Sequence, residues 1–257
     1  MGDLARRLAS DKIEKGHLGI YWLAQAGFAF KPPAGKVVYV DPYLSDAVER
    51  LVGFKRMMAT PIPPEEVVAD LLVCTHEHGD HLDEDAVPIV AKNPNTHFAG
   101  PLECMKEFKR LGVREDRCHL LEEGKQDTLQ GIGVQTVYAD HGDLSPTAVG
   151  VVLDLEGIRV YHTGDTAYRP EKFQPAVDMR PDVLIPCING AFGNLNAEEA
   201  ARLTGLISPR LAIPSHFWMF VEQNGDPGAY LKYCAKHAPA VQVLVMKPGE
   251  QKIFQKP

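Results

Sequence analysis

Three histidines and an aspartate fall within six residues in the segment Thr75-His-Glu-His-Gly-Asp-His81. Imidazole nitrogen and carboxylate oxygen together suit borderline divalent cations such as Zn, Mn or Fe. The segment directly follows Leu71–Cys74, a short apolar run that reads as a strand covered on both faces. A loop at the end of such a strand can turn His76, His78, Asp80 and His81 toward one point. A helix cannot, because positions 76, 78 and 81 would spread around its circumference. Ordinary hydrogen bonding would explain one histidine here, but not four ligand-type side chains in this pattern.

Two cations need more ligands than this cluster supplies, and three more appear downstream. His141 closes Val-Tyr-Ala-Asp-His, Asp165 closes Val-Tyr-His-Thr-Gly-Asp, and His216 closes Ala-Ile-Pro-Ser-His. Each ends a run of strand-forming residues, and open sheets usually hold their sites at the C-terminal ends of strands. The seven candidate ligands suffice for a dinuclear centre. Around them, Asp41 follows a strand and could orient a ligand histidine from behind, although Asp-Pro is equally an ordinary turn. His162 can face the site or the core. Asn189 and Gly190 either line a substrate pocket or form a tight turn. Glu77 reads as a solvated or structural side chain, and His17, His97, His119 and His237 as surface or packing residues. Phe217, Trp218 and Phe220 are either a pocket wall or core.

The elements that would carry these residues are mostly strands at first: Leu18–Leu23, Gly27–Phe30, Val37–Val40 and Leu71–Cys74. A helix is expected over Asp83–Lys92 with Asp83 as its cap, Pro88 either kinking it or moving its start later. A second helix is expected over 101–111. Strands return at Val134–Tyr138, Ala148–Leu155 and Ile158–His162, with Gly157 in the turn between the last two. Strands then alternate with helices: Asp182–Cys187, helix Ala197–Leu206, Leu211–Pro214, helix Pro227–His237 and Val241–Met246. Asn196 and Glu199 form a capping-box signal at the start of the first of these helices. This β, α/β, β, α/β order fits two sheets packed together with helices on the outer faces. The expected fold is therefore a single α/β domain over 1–257, with four αβ/βα layers.

The chain has 257 residues, 45% hydrophobic and 24% charged, an ordinary globular balance able to bury a core without disulfides. A net charge of −7 argues against a nucleic-acid partner. The five cysteines show no CxxC pair and suit reduced, buried thiols. The first residues contain no signal-peptide-like apolar stretch, and no run is long enough to span a membrane. A cytoplasmic protein acting on a small-molecule substrate is expected, and a homo-oligomer is compatible with that reading.

The order HxHxDH, distant His, Asp, final His resembles the metallo-β-lactamase superfamily over nearly the whole chain. The resemblance implies that His76, His78 and His141 hold one metal, that Asp80, His81 and His216 hold another, and that Asp165 bridges both. It implies two divalent metal ions (Mn, Zn or Fe) and hydrolysis by a hydroxide bridging them; Asp80, or a metal-bound water, would then shuttle a proton to the leaving group. Looser motifs are similar to an ascorbate-6-phosphate lactonase-like branch. These are Trp22-Leu-Ala-Gln-Ala-Gly-Phe28, Val40-Asp-Pro-Tyr-Leu-Ser45, Tyr161-His-Thr-Gly-Asp-Thr166 and Ile188-Asn-Gly-Ala-Phe-Gly-Asn194. That likeness implies a lactonase opening a phosphorylated sugar lactone, with Lys55, Arg56 and Arg169 as candidate phosphate anchors. A phosphodiesterase or nuclease of the same fold, or a non-enzymatic metal-binding protein, is the alternative.

Overall fold

The computed structural model describes residues 1–256. Helix α1 (Asp3–Ser10) leads into an antiparallel meander of β1 (His17–Trp22), β2 (Phe28–Lys31) and β3 (Val38–Val40). After α2 (Ala47–Val52), strands β4 (Leu71–Val73), β5 (His97–Gly100) and β6 (Cys118–Leu120) continue the sheet in parallel, with α3 (Val87–Val90) and α4 (Leu102–Arg110) between them. The second sheet starts with the antiparallel strands β7 (Gln126–Leu129), β8 (Ile132–Tyr138), β9 (Val149–Leu155) and β10 (Ile158–His162). It continues in parallel through β11 (Val183–Ile185), β12 (Leu211–Ala212) and β13 (Gln242–Val243), with α5 (Gln174–Asp178), α6 (Ala197–Ile207) and α7 (Pro227–His237) as connections. Strand β14 (Gln251–Gln255) then returns to the first sheet and pairs antiparallel with β1, Gln255 opposite His17.

Each sheet has seven strands, ordered β14-β1-β2-β3-β4-β5-β6 and β13-β12-β11-β10-β9-β8-β7. In both, the pairing switches from antiparallel to parallel partway across, at β3/β4 and at β10/β11. Such switch points open crevices at strand ends, and the candidate ligands sit there.

Strand alternation explains why the sheets stack. In β1, Leu18, Ile20 and Trp22 join the core shared with the second sheet, while Tyr21 packs on the other face. Val38 and Val40 of β3, and Leu71 and Val73 of β4, take the inter-sheet side; Tyr39 and Leu72 face α1, α3 and α4. With both faces covered, these strands read as continuous apolar runs. The four-layer expectation is met. Among the described residues, no helix is long and apolar enough to cross a membrane.

Local differences have local causes. The helix expected from Asp83 begins only at Val87, because Pro88 fits a first helical turn, where its missing N–H costs nothing. Asp83 instead ties two segments together. Its Oδ1 accepts from the Asp85 and Ala86 amides, and its Oδ2 accepts from the Leu44 and Ser45 amides. The strand expected over 241–246 shrinks to β13. The hairpin at Gly157 forms as expected, with positive φ at both Glu156 (57°) and Gly157 (87°). The capping box at Asn196 and Glu199 is complete.

Candidate metal centre

The loop after β4 is anchored from behind by Asp41, which leaves β3 with a φ of 48°. Its carboxylate accepts from the Thr75 amide (2.7 Å), the Thr75 hydroxyl (2.7 Å) and His81 Nδ1 (2.8 Å). A carboxylate only accepts, so His81 carries its proton on Nδ1 and presents Nε2 to the site. The Thr75 hydroxyl spends its hydrogen on Asp41, so its oxygen accepts from His76 Nδ1 (3.1 Å), turning His76 Nε2 inward. His78 Nε2 donates to the Leu144 carbonyl (3.1 Å), which leaves Nδ1 as its inward atom. The tautomers of three candidate ligands are thus set by groups outside the cluster.

The structure brings all seven predicted ligands together. His78 Nδ1 lies 3.1 Å from His76 Nε2 and 3.3 Å from His141 Nε2. Asp80 Oδ2 lies 3.3 Å from His216 Nε2 and 3.8 Å from His81 Nε2. Asp165 stands between the two groups: its Oδ1 is 3.3 Å from His81 and 3.2 Å from His216, and its Oδ2 is 3.8 Å from His141. Ligand atoms around a tetrahedral ion with bonds of about 2.1 Å sit roughly 3.4 Å apart, so these separations suit a cation. His81 Nε2 and Asp165 Oδ1 are buried without a hydrogen-bond partner, as atoms awaiting an ion would be. Three metal-competent groups result: His76/His78/His141, His76/His81/Asp165 and Asp80/His81/His216.

The electrostatics divide the cluster. Burial holds His76 and His141 below the usual histidine range. Burial would lower His81 and His216 too, but the nearby carboxylates overcome it: His81 is raised, chiefly by Asp165, and His216 is pushed up to about 9, chiefly by Asp165 with Asp80. Asp80 and Asp165, which burial alone would raise, are held low by these two histidines. A cation taking the protons' place must displace them.

Other predicted residues fall around the site. Asp41 stands behind His81. His162 stays out of the ligand set: its Nε2 donates to the Ala26 carbonyl (2.7 Å) and its Nδ1 accepts from the Gly164 amide (3.1 Å), which steadies the residue before Asp165. Asn189 and Gly190 do not line the cleft at the cluster; they form the turn leading to Asn194 and Leu195, Gly190 with a φ of 63°. Glu77 accepts from Ser145 (2.7 Å), a structural tie. Phe217 stacks on Trp22 (5.0 Å) in the core, Phe220 lines the cleft and Trp218 is half exposed.

The phosphate-anchor candidates are elsewhere. Lys55 is exposed. Arg56 is turned inward, donating to the Ser45 and Met58 carbonyls and lying over Tyr43. Arg169 pairs with Asp140 (2.9 Å). None lines the cleft of about 290 Å³ that opens on His78, Asp80, His141 and Asp165. Its other walls are largely apolar, from Val48, Leu51, Phe54, Leu144, Phe192 and Phe220.

Sequence reasoning missed three amides. Asn194 Nδ2 donates to Asp165 Oδ2 (2.6 Å), Gln25 Nε2 donates to Asp80 Oδ2 (2.7 Å), and Gln223 lines the cleft. Gln25 and Asn194 lie inside the quoted motifs, but an amide in a turn has no spacing that marks it.

The family model described as "Beta-lactamase superfamily domain" matches residues 19–216. A protein of Archaeoglobus fulgidus named a UPF0173 metal-dependent hydrolase is 31% identical over 92% of this chain and 99% of its own length. Among solved structures, a metallo hydrolase of Ignicoccus hospitalis superposes with a TM-score of 0.77 at 23% identity, covering 94% of this chain and all of its own. An isothiocyanate hydrolase from Delia radicum gut bacteria superposes with a TM-score of 0.74 at 18% identity, covering 92% of this chain and 99% of its own. At these identities the two structures show a shared fold.

Proposed function

Because this chain belongs to the metallo-β-lactamase superfamily, we propose that it is a metal-dependent hydrolase of two divalent cations acting on an uncharged ester or lactone. The observation that carries the reading is the seven-ligand cluster, centred on Asp165, at the floor of an apolar cleft. His76, His78 and His141 would hold one cation, and Asp80, His81 and His216 the other, with Asp165 between them. The imidazole and carboxylate donors accept Zn, Mn or Fe alike. Such cations supply Lewis acidity and lower the pKa of water from roughly 15.7 toward about 7.

The chain's own residues supply the remainder. Asp41, Thr75 and the Leu144 carbonyl fix the ring orientations before any cation arrives, so little reorganisation is needed. Asp80, reaching the cleft, would take a proton from the water whose oxygen adds to the acyl carbon, on the carboxylate oxygen not held by Gln25, and return it to the alkoxide released when the acyl C–O bond breaks. The apolar walls exclude water from the electrophile's far side. A phosphorylated substrate finds no lysine or arginine in this cleft, so the phosphate anchor implied by the branch resemblance is not carried forward. The same largely apolar cleft suits water addition to an isothiocyanate carbon, the substrate class named for one structural neighbour.

Elemental analysis after saturation with Mn or Zn should give two equivalents per chain. Turnover should favour γ-decanolactone over a phosphorylated lactone and over bis(p-nitrophenyl) phosphate. One equivalent at saturation would overturn the two-cation reading, and preference for the phosphodiester would make the protein a phosphodiesterase.

A further inference from the structure

Gln25 leaves the β1–β2 turn fully buried, with a φ of 49°. Its backbone carbonyl accepts from the His216 amide (3.0 Å) and the Trp22 indole (3.1 Å), so its place beside the cluster is fixed. The side-chain Nε2 has two hydrogens, and its well-placed acceptors are Asp80 Oδ2 at 2.7 Å and Gln223 Oε1 at 3.0 Å; the two His216 ring nitrogens, at 3.4 and 3.3 Å, are nearly equidistant from it, so neither ring lone pair points at it. Amide nitrogen and oxygen cannot be told apart by shape alone, but here chemistry decides. Asp80 only accepts, so Gln25 must turn its NH₂ toward it. The second hydrogen then requires an acceptor on Gln223, which consumes the Gln223 carbonyl. The Gln223 NH₂ makes no hydrogen bond to any described residue, and Gln223 is the one polar side chain lining the apolar cleft outside the candidate ligands.

We propose that Gln223 is a specificity-determining residue of the cleft. Its orientation is set by Gln25, and its amide NH₂ is offered to an acceptor oxygen of an uncharged substrate whose apolar arm lies against the cluster of Phe54, Phe192 and Phe220. This deepens the hydrolase reading, on which it rests. The relay runs in one direction only: Asp80 orients Gln25, Gln25 orients Gln223, and Gln223 presents a donor. A substrate oxygen meets a hydrogen there, whereas a cationic or donor group meets a second donor and is disfavoured. An alkyl-substituted lactone combines the two required features, an acceptor oxygen and an uncharged apolar arm.

The probes are γ-decanolactone for turnover and its lactam counterpart for binding by calorimetry, both with the metal-loaded, full-length protein. Gln223→Leu keeps the bulk and removes the donor; it should weaken lactam binding by roughly 5- to 10-fold and lower kcat/KM on the lactone mainly through KM. Gln223→Glu, which offers only acceptors, should lose at least as much. Gln25→Leu frees the Gln223 amide to rotate and should give a smaller loss of lactam affinity. Metal content of both Gln223 variants should match wild type, which separates a binding role from loss of the site; Gln223→Leu, which also takes away the acceptor for the second Gln25 hydrogen, should melt a few degrees lower. Unchanged or tighter lactam binding by a folded Gln223→Leu protein overturns the inference while leaving the hydrolase reading intact. Lactam binding that depends on Gln223 without lactone turnover supports the inference and fails the hydrolase reading. If wild type binds no lactam and opens no lactone, both fall.

Discussion

At the scale of single residues, Asp41 has an outsized share in the cluster because one carboxylate satisfies three donors from Thr75 and His81. Asp41→Asn keeps the shape but replaces one acceptor with a donor, which must then face a hydrogen already present. The His81 tautomer loses its support, and affinity for the cation on the Asp80/His81/His216 side should fall by about 10–100-fold. The His76/His78/His141 side should change less. Competition with a chromophoric chelator would measure both, and equal weakening of the two sites would show that Asp41 acts on the whole loop. The ligands themselves were legible because ligand-type side chains are rare enough for their concentration after an apolar strand to stand out. Asn194, Gln25 and Gln223 were not, since amides are common in turns and find their partners only across long sequence separations. The basic residues misled for a related reason. Arg56 looks free in sequence, but burial against Tyr43 commits it to backbone carbonyls.

At the scale of elements, the site depends on how closely strand ends approach one another. Gly164, with a φ of 60°, connects β10 to Asp165, and a Cβ there would lie 2.9 Å from Thr75 Cβ and 3.0 Å from the Val149 carbonyl. Gly164→Ala therefore combines backbone strain with a clash between the two ligand-bearing loops. It should cost about 1–3 kcal/mol of stability and reduce metal content as well. Gly131→Ala makes a useful control: φ is also positive (83°), yet nothing lies within 4 Å of the added carbon. Thermal melts and metal analysis of the two variants would separate strain from clash, and full metal occupancy in Gly164→Ala would count against the close-approach argument. Strands buried on both faces, such as β1, β3 and β4, were readable from their apolar runs. Strands β7 and β14 were not, because they are edge strands with mostly exposed or half-exposed side chains and little hydrophobic patterning. The helix expected from Asp83 shows a third case, in which one side chain can cap a turn and brace a neighbouring loop, and sequence does not say which will prevail.

At the scale of the whole molecule, the candidate ligands are divided between the sheets. His76, His78, Asp80 and His81 follow β4 of the first, whereas His141, Asp165 and His216 follow β8, β10 and β12 of the second. Cations held there would join the two halves. Binding that favours the folded state stabilises by RT ln(1 + [L]/Kd), about 4 kcal/mol at a thousandfold excess over Kd. Chelation should therefore lower the melting temperature and speed amide exchange in the loops of both sheets together. A loss confined to one sheet would mean that the cations do not couple the halves. The two-sheet layering was visible in the β, α/β, β, α/β order of the sequence, but the pairing of β14 with β1 was not, because nothing local marks a strand that changes sheets. That pairing bears on the order of assembly. As the chain leaves a ribosome, β1 emerges early and its outer edge waits, unpaired, until the last strand arrives. Closing that edge requires a contact between positions nearly a full chain length apart, the kind of contact that slows folding. Until it forms, β1 presents open backbone donors and acceptors to any passing strand. The nascent first half is therefore the stage most exposed to aggregation and most in need of a chaperone.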